Sequence, residues 1–394
     1  MIAVSTRHRR ILEEMAAHPR NPTEWQQRKE RFRAYMKAFN PTAPAQQSVD
    51  AGLVIPDLHD GLYKKIAARV EIEPGSHQLV LGGIGSGKTT ELVLATRHLR
   101  EKTIDAAYCE IASFVDPTFA GSGVLLTLAA FTLMTRVRDT KDPRVLEVGK
   151  FIHRISEQEV DIRAPRKTRF RFFNAEVAAF RSPLSALLEM TRDQAQPVIL
   201  FDGLDRLPTS ERFSTMVDDD LELMKQLGIT VVLVGPPTLL YANRDGVLGQ
   251  FDRVHEIPTL STGDLKLETI LVQRDPPGLL DRYCRNNVCR YSGGVIRDLI
   301  TLARDAAEEA YSADAERVEV THVEKVARRL GLSYLRGLSP TQTAVLRSVV
   351  QTGGFDHTDP DTLYLLLTRR IIEHSPTEFE VHPALQLVLD QPLT

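Results

Sequence analysis

The chain has 394 residues, of which 42% are hydrophobic and 26% charged, and its 49 Lys and Arg against 52 Asp and Glu leave a net charge of −3. That length argues for two or three domains, the composition excludes a disordered chain, and the near balance of charge excludes a whole-chain electrostatic case for nucleic acid. The three cysteines, Cys109, Cys284 and Cys289, form no CxxC pair, which points to a reducing compartment without a disulfide framework. The first ten residues lack the apolar core of a secretion signal, and the longest apolar run, 124–134, is too short to span a bilayer. A cytoplasmic protein with no membrane contact is therefore expected.

Residues 1–50 read as an N-terminal helical appendage and linker. The stretch 23–39 places Trp25, Phe32, Tyr35, Met36 and Phe39 near one helical stripe, and 40–48 (NPTAPAQQS) has linker composition. With nine Arg and Lys against five Asp and Glu, the segment is either a helix packed on the next domain or an arm for nucleic acid or a partner. Residues 51–262 alternate helical and strand patterns. Helices are expected over 57–70, 88–100, 122–137 and 220–227. Short, almost wholly apolar strands are expected at 77–83, 106–113, 197–205 and 229–235. Strands this apolar, separated by helices, predict a parallel sheet covered on both faces. Residues 139–182 interrupt the rhythm and include RAPRKTRFRFF, with Arg163, Arg166, Lys167, Arg169 and Arg171 and no acid among them. That insertion is either a solvated excursion or a contact surface for a polyanion or partner. Residues 263–335 show only helical patterns. From 336 to 394 two helices, opened by Ser339-Pro340 and Asp359-Pro360, precede two short strands around SPTE, which predicts a winged helix.

The motif that carries chemistry is LVLGGIGSGKTT, residues 79–90. Gly82, Gly87, Lys88 and Thr89 match G-x-x-x-x-G-K-[ST], with a strand before and a helix after. Bare backbone lets the N–H groups of Gly82, Gly83, Ile84, Gly85, Ser86, Gly87, Lys88, Thr89 and Thr90 wrap a polyphosphate, and the helix presents its positive end to the anion. Lys88 neutralises phosphate charge, and Thr89 offers a hydroxyl to Mg²⁺. A second magnesium ligand is expected at the end of a neighbouring strand, where VILFDGLD supplies Asp202. Hydrolysis also needs a group that orients water. Gly203 follows Asp202, so Asp205 is the nearest carboxylate for that role.

With these residues in hand, 55–394 resembles the AAA+ and STAND group of P-loop ATPases. GGIGSGKTT looks like its Walker A motif and VILFDGLD like its Walker B motif. VVLVGPP, at 231–237, stands where the family has a polar sensor, for which this chain offers only Thr238. YSGGVIRDLITLARDA, at 291–306, is similar to the second-sensor helix, and Arg297 matches the arginine that senses the γ-phosphate from a mobile helical lid. An arginine supplied by a neighbouring subunit is implied just before the last core strand, where Arg244 and Arg253 stand. The resemblance implies an α/β fold with a P-loop core over 51–262, an α-helical lid over 263–335 and a winged helix over 336–394. It also implies ATP with Mg²⁺ as cofactor, slow hydrolysis and a homo-oligomer formed on ATP binding. Residues 331–394 hold four Arg and Lys against seven Asp and Glu. A domain that reads DNA needs cations against phosphate, so this one is expected to dock a protein effector, as in bacterial defence or mobile-element regulation. The alternative is a DNA-binding initiator or transposition-regulator ATPase, with 163–171 as the nucleic-acid contact.

Overall fold

The computed structural model describes residues 22–116, 121–137, 141–156, 176–191, 196–205, 207, 209–241, 246–375 and 377–389. Helix α1 (Pro22–Ala38) is followed by the short α2 (Ala45–Asp50) and by α3 (Leu62–Ile72). The helix expected to begin at 57 begins five residues later. Asp60 and Gly61 both take left-handed backbone, at φ 52° and 67°, which interrupts the helical path. Strand β1 (His77–Gly82) leads through the glycine loop into α4 (Lys88–Glu101) and then β2 (Ala106–Glu110). Helices α5 (Val124–Met134), α6 (Pro143–Ser156) and α7 (Arg181–Met190) come before β3 (Val198–Asp202). Helix α8 (Ser210–Gln226), capped by the Thr209 side chain, runs ten residues earlier than its apolar pattern announces, and β4 (Thr230–Val234) and β5 (Arg253–Ile257) follow.

The five strands form one parallel sheet in the order β2-β3-β4-β1-β5. Successive strand side chains alternate between its two faces. Leu79, Leu81, Ile199, Phe201, Val231 and Leu233 enter the larger core beneath α5 to α8. Val80, Leu200, Val232 and Val234 enter the core beneath α3 and α4. With both faces covered, the central strands β3 (VILFD) and β4 (TVVLV) are almost wholly apolar, whereas the edge strand β5 (RVHEI) is partly exposed. The described part of the 139–182 insertion belongs to this core rather than to solvent, since α6 buries Val145, Val148 and Ile152 in the larger cluster. The basic run 163–171 lies outside the described residues. Buried Asp220 of α8 accepts from the backbone N–H groups of Gly123, Leu125 and Leu126 at 2.7, 2.9 and 3.4 Å, and so caps α5, whose own N-cap residue offers no side chain.

Two histidines cross the sheet core. His77 of β1 bonds the Ile229 carbonyl through Nε2 at 3.2 Å, and His255 of β5 bonds Gln78 Oε1 at 2.8 Å. Burial lowers each to about 4. Between that value and the unfolded value of about 6.5 the unfolded chain binds more protons, so folding stability falls as pH falls. Acidification from about pH 7.5 to about pH 5 should cost on the order of 2 kcal/mol per histidine, read as a lower urea midpoint. His255→Gln should remove about half of that pH dependence. An unchanged slope in the variant contradicts the assignment.

Beyond the sheet come four helices: α9 (Leu265–Arg274), α10 (Arg282–Tyr291), α11 (Ile296–Ser312) and α12 (Val320–Leu335). They share one apolar core with α1, which lies against this helical module through Phe32, Tyr35 and Phe39. The Arg28 guanidinium is buried there and donates to the carbonyls of Tyr311 at 2.8 Å and Ala315 at 3.0 and 3.1 Å. The Tyr311 oxygen stands in the last turn of α11, where the helix dipole favours a cation, and Ala315 lies in the turn just beyond it. Trp25, placed by spacing on the same stripe, is 44% exposed. Last come α13 (Pro340–Thr352), α14 (Pro360–Leu367), the antiparallel pair β6 (Ile371–Ser375) and β7 (Glu378–Val381), and α15 (Pro383–Gln386). Leu346, Leu365, Ile371, Val381 and Leu385 form the core of this C-terminal module.

Candidate nucleotide site

The loop between β1 and α4 turns back over the start of its own helix. Lys88, 4% exposed, donates from Nζ to the carbonyls of Gly82 at 3.0 Å and Gly83 at 2.9 Å, and stands 3.1 Å from Asp205 Oδ2. Asp202, at the end of β3 and 5% exposed, accepts from the Tyr108 hydroxyl at 2.9 Å and from the Thr89 hydroxyl. Burial raises its carboxyl above the usual range, against the pull of those two hydrogen bonds. The parallel register sets Glu110 opposite Asp202 and leaves Tyr108 two residues earlier on the same face of β2. Lys88, Thr89, Asp202 and Asp205 thus converge, while Thr90 continues α4 and Ile84 lines the cleft.

The helical module completes the site from the opposite side. Gly85 adopts φ 82°, and a Cβ there would lie 2.8 Å from the Cβ of Arg297 and 3.4 Å from Nη1 of Arg369. Glycine is required on both counts: left-handed backbone and two arginines directly over the loop. Arg297 is exposed, in the first turn of α11. The next residue, Asp298, is buried and gathers three groups. It accepts from Tyr334 at 2.7 Å and from Arg369 Nη1 at 2.9 Å, and it faces His382 Nε2 at 3.3 Å. Burial pushes the Asp298 carboxyl up, but His382, Arg369 and Tyr334 together hold it below the usual range.

A cavity of about 580 Å³ opens between the sheet module, the helical module and the C-terminal module. The phosphate loop and Arg369 line one end, and Ile257, Pro258, Leu260 and Val295 supply apolar wall. Ser86 Oγ and His59 Nε2 are buried in this region with no hydrogen-bond partner. Burial lowers the His59 pKa, so its imidazole is neutral near pH 7. Buried polar atoms left without partners suit a polar ligand, and the apolar wall suits a flat ring. Thr89 and Asp202 present two oxygens to the same space, a set that suits a hard divalent cation. These residues fit a nucleoside triphosphate with Mg²⁺.

Arg244 lies outside the described residues, and Arg253 is exposed at the start of β5. The Thr238 hydroxyl is buried without a hydrogen-bond partner. Sequence reasoning missed Tyr108, His59, Asp298 and Arg369. Tyr108 was legible only as an alternate residue of a strand. Arg369 sits in a double arginine before the β6–β7 hairpin, with no spacing signal that ties it to the loop.

No family model matches this sequence, and no curated protein matches it. Among solved structures, the chain is similar to one from Drosophila ORC bound to DNA, at 14% identity, covering 90% of this chain and 80% of that one, with a TM-score of 0.46. It is also similar to RuvB of Thermotoga maritima, a Holliday junction branch migration motor, at 14% identity over 82% of this chain and 91% of that one, TM-score 0.41. Domain III of the T. maritima replication initiation protein DnaA is similar at 14% identity over 69% of this chain and 91% of that one, TM-score 0.39. Among the described residues, no helix is long and apolar enough to cross a membrane.

Proposed function

We propose that the chain is an ATP-dependent molecular switch of the AAA+/STAND type, with 263–335 as its lid and 336–394 as a winged helix. The observation that carries this reading is the approach of the Arg297 Cβ to Gly85, which brings the first turn of α11 against the glycine loop. Loop amides and Lys88 bind the triphosphate tail. Thr89 and Asp202 hold Mg²⁺, which when bound supplies neutralisation of phosphate charge. Tyr108 fixes the Asp202 carboxylate from the side. Asp205 orients the attacking water once Lys88 engages phosphate, and hydrolysis is slow. Arg297 favours the lid position that meets a γ-phosphate, so ligand with unequal affinity for two lid positions shifts the population between them. An arginine from a neighbouring subunit, Arg244 or Arg253, completes the site in an oligomer. The C-terminal module exposes Asp356, Asp359, Asp361 and Glu378. That charge suits a protein effector better than the phosphates of DNA.

The test combines light scattering with phosphate release. The wild-type chain should gain mass with Mg-ATP relative to ADP, and should release phosphate slowly. Asp205→Asn should keep the mass gain and lose about 100-fold in rate. One mass in all nucleotide states removes the assembly reading. An unaltered rate in Asp205→Asn removes its role with water.

A further inference from the structure

We infer that Arg369, in the turn between α14 and β6 of the C-terminal module, is a second triphosphate-binding arginine, aimed at the loop by Asp298. The inference rests on the ATPase reading above and adds to it a direct phosphate contact from the C-terminal module itself.

The position of the side chain over the loop carries it. Arg369 Nη1 stands 3.4 Å from the position of a Cβ on Gly85, so the guanidinium lies over the loop that wraps phosphate. Arg369 lines the same cavity as Gly83, Ile84 and Ser86. Its left-handed backbone, at φ 63°, is the C′ position that closes α14, where the N–H groups of Arg369 and Arg370 bond the carbonyls of Leu366 and Leu365 at 3.0 and 2.9 Å. The side chain meets Asp298, a buried carboxylate that also takes Tyr334 and faces His382. Asp298 uses one nitrogen of the guanidinium, Nη1, at 2.9 Å, while Nε and Nη2 make no protein hydrogen bond among the described residues. A planar fork fixed at one tine and free at the others is organised for a phosphate oxygen before it arrives. A purely structural ion pair would not need the approach to the loop.

The consequence is a specific selectivity. Arg297 and Arg369 flank Gly85 together, one from the first turn of α11 and one from the C-terminal module. A γ-phosphate held between them draws both modules onto the loop, whereas a diphosphate leaves the gap unbridged. The C-terminal module is then tied to the nucleotide directly and not only through the helices before it.

The experiment is calorimetry on the full chain with Mg²⁺ and either ADP or the β,γ-imido analogue of ATP. Arg369→Gln, which keeps a donor for Asp298, should weaken the triphosphate about tenfold and the diphosphate less than about twofold. Arg369→Lys should restore most of the triphosphate affinity. An Arg369→Gln protein that folds with an unchanged triphosphate-to-diphosphate ratio overturns the inference, as does equal weakening of both nucleotides, the mark of a structural clamp. A second measurement needs no variant. Phenylglyoxal modification of Arg369 in the wild-type chain, read by mass spectrometry, should be suppressed by the triphosphate and not by ADP, and equal protection by both overturns the inference. Wild-type binding that does not depend on Lys88 would remove the ATPase reading itself. Lys88-dependent binding with an unchanged ratio in Arg369→Gln removes only the assignment of Arg369.

Discussion

Lys88→Ala should abolish measurable Mg-ATP binding, weakening it by at least about 100-fold in calorimetry, or about 3 kcal/mol. Lys88 sits at the floor of the loop, where its ammonium already meets two backbone carbonyls and Asp205. A charge-assisted contact of this kind contributes roughly 1.5–3 kcal/mol. Removing the ammonium also leaves Asp205 uncompensated beside the place where phosphate must sit, so repulsion adds to lost attraction. Asp205 is 20% exposed and keeps some hydration, so the empty variant should melt close to the wild type. Calorimetric heats that survive in Lys88→Ala with an affinity within about tenfold of wild type would contradict a phosphate role for the loop.

The second large effect is structural. Gly294→Ala should destabilise the chain by about 3–5 kcal/mol or prevent folding. Gly294 has φ 78°, and a Cβ there would lie 1.7 Å from the Leu260 carbonyl oxygen and 2.7 Å from its carbon. The clash is with backbone and cannot be relieved by a rotamer. The turn also receives a hydrogen bond from Gly294 N–H to Ser292 Oγ at 3.2 Å, and it launches the helix that carries Arg297 and Asp298. Any shift at Gly294 therefore moves Arg297, which approaches the loop, and Asp298, which holds Arg369. Gly263→Ala is the matched control, because a Cβ there meets nothing within 4 Å. It should change the urea midpoint by no more than about 0.5 kcal/mol equivalent. Equal midpoints for the two variants would mean that the turn yields freely.

The glycine loop between β1 and α4 was legible in the sequence because its pattern is local: four glycines, a lysine and two threonines stand together between an apolar strand and a helix. Asp202 was legible for a related reason, as a carboxylate ending an apolar strand. The parallel α/β sheet followed from strands apolar on both faces, and the two C-terminal helices and hairpin from Ser339-Pro340, Asp359-Pro360 and the turn between β6 and β7.

Contacts between elements distant in sequence were decided only by the tertiary structure. Periodicity says that α1 has an apolar stripe but not what covers it, and the cover is the helical module at α11. The strand order puts Tyr108 within reach of Asp202, a contact no motif encodes. Asp205, read as a carboxylate for water, is the partner of Lys88 in the folded chain. Asp298 and Arg369 each look like ordinary surface charges in sequence. They become one ion pair, with Asp298 buried and Arg369 partly exposed, only because the C-terminal module folds back over the glycine loop. Local pattern determines which face of each element is apolar and which short run forms the glycine loop. Which faces meet depends on long-range packing, and that packing turns separate charges into a site.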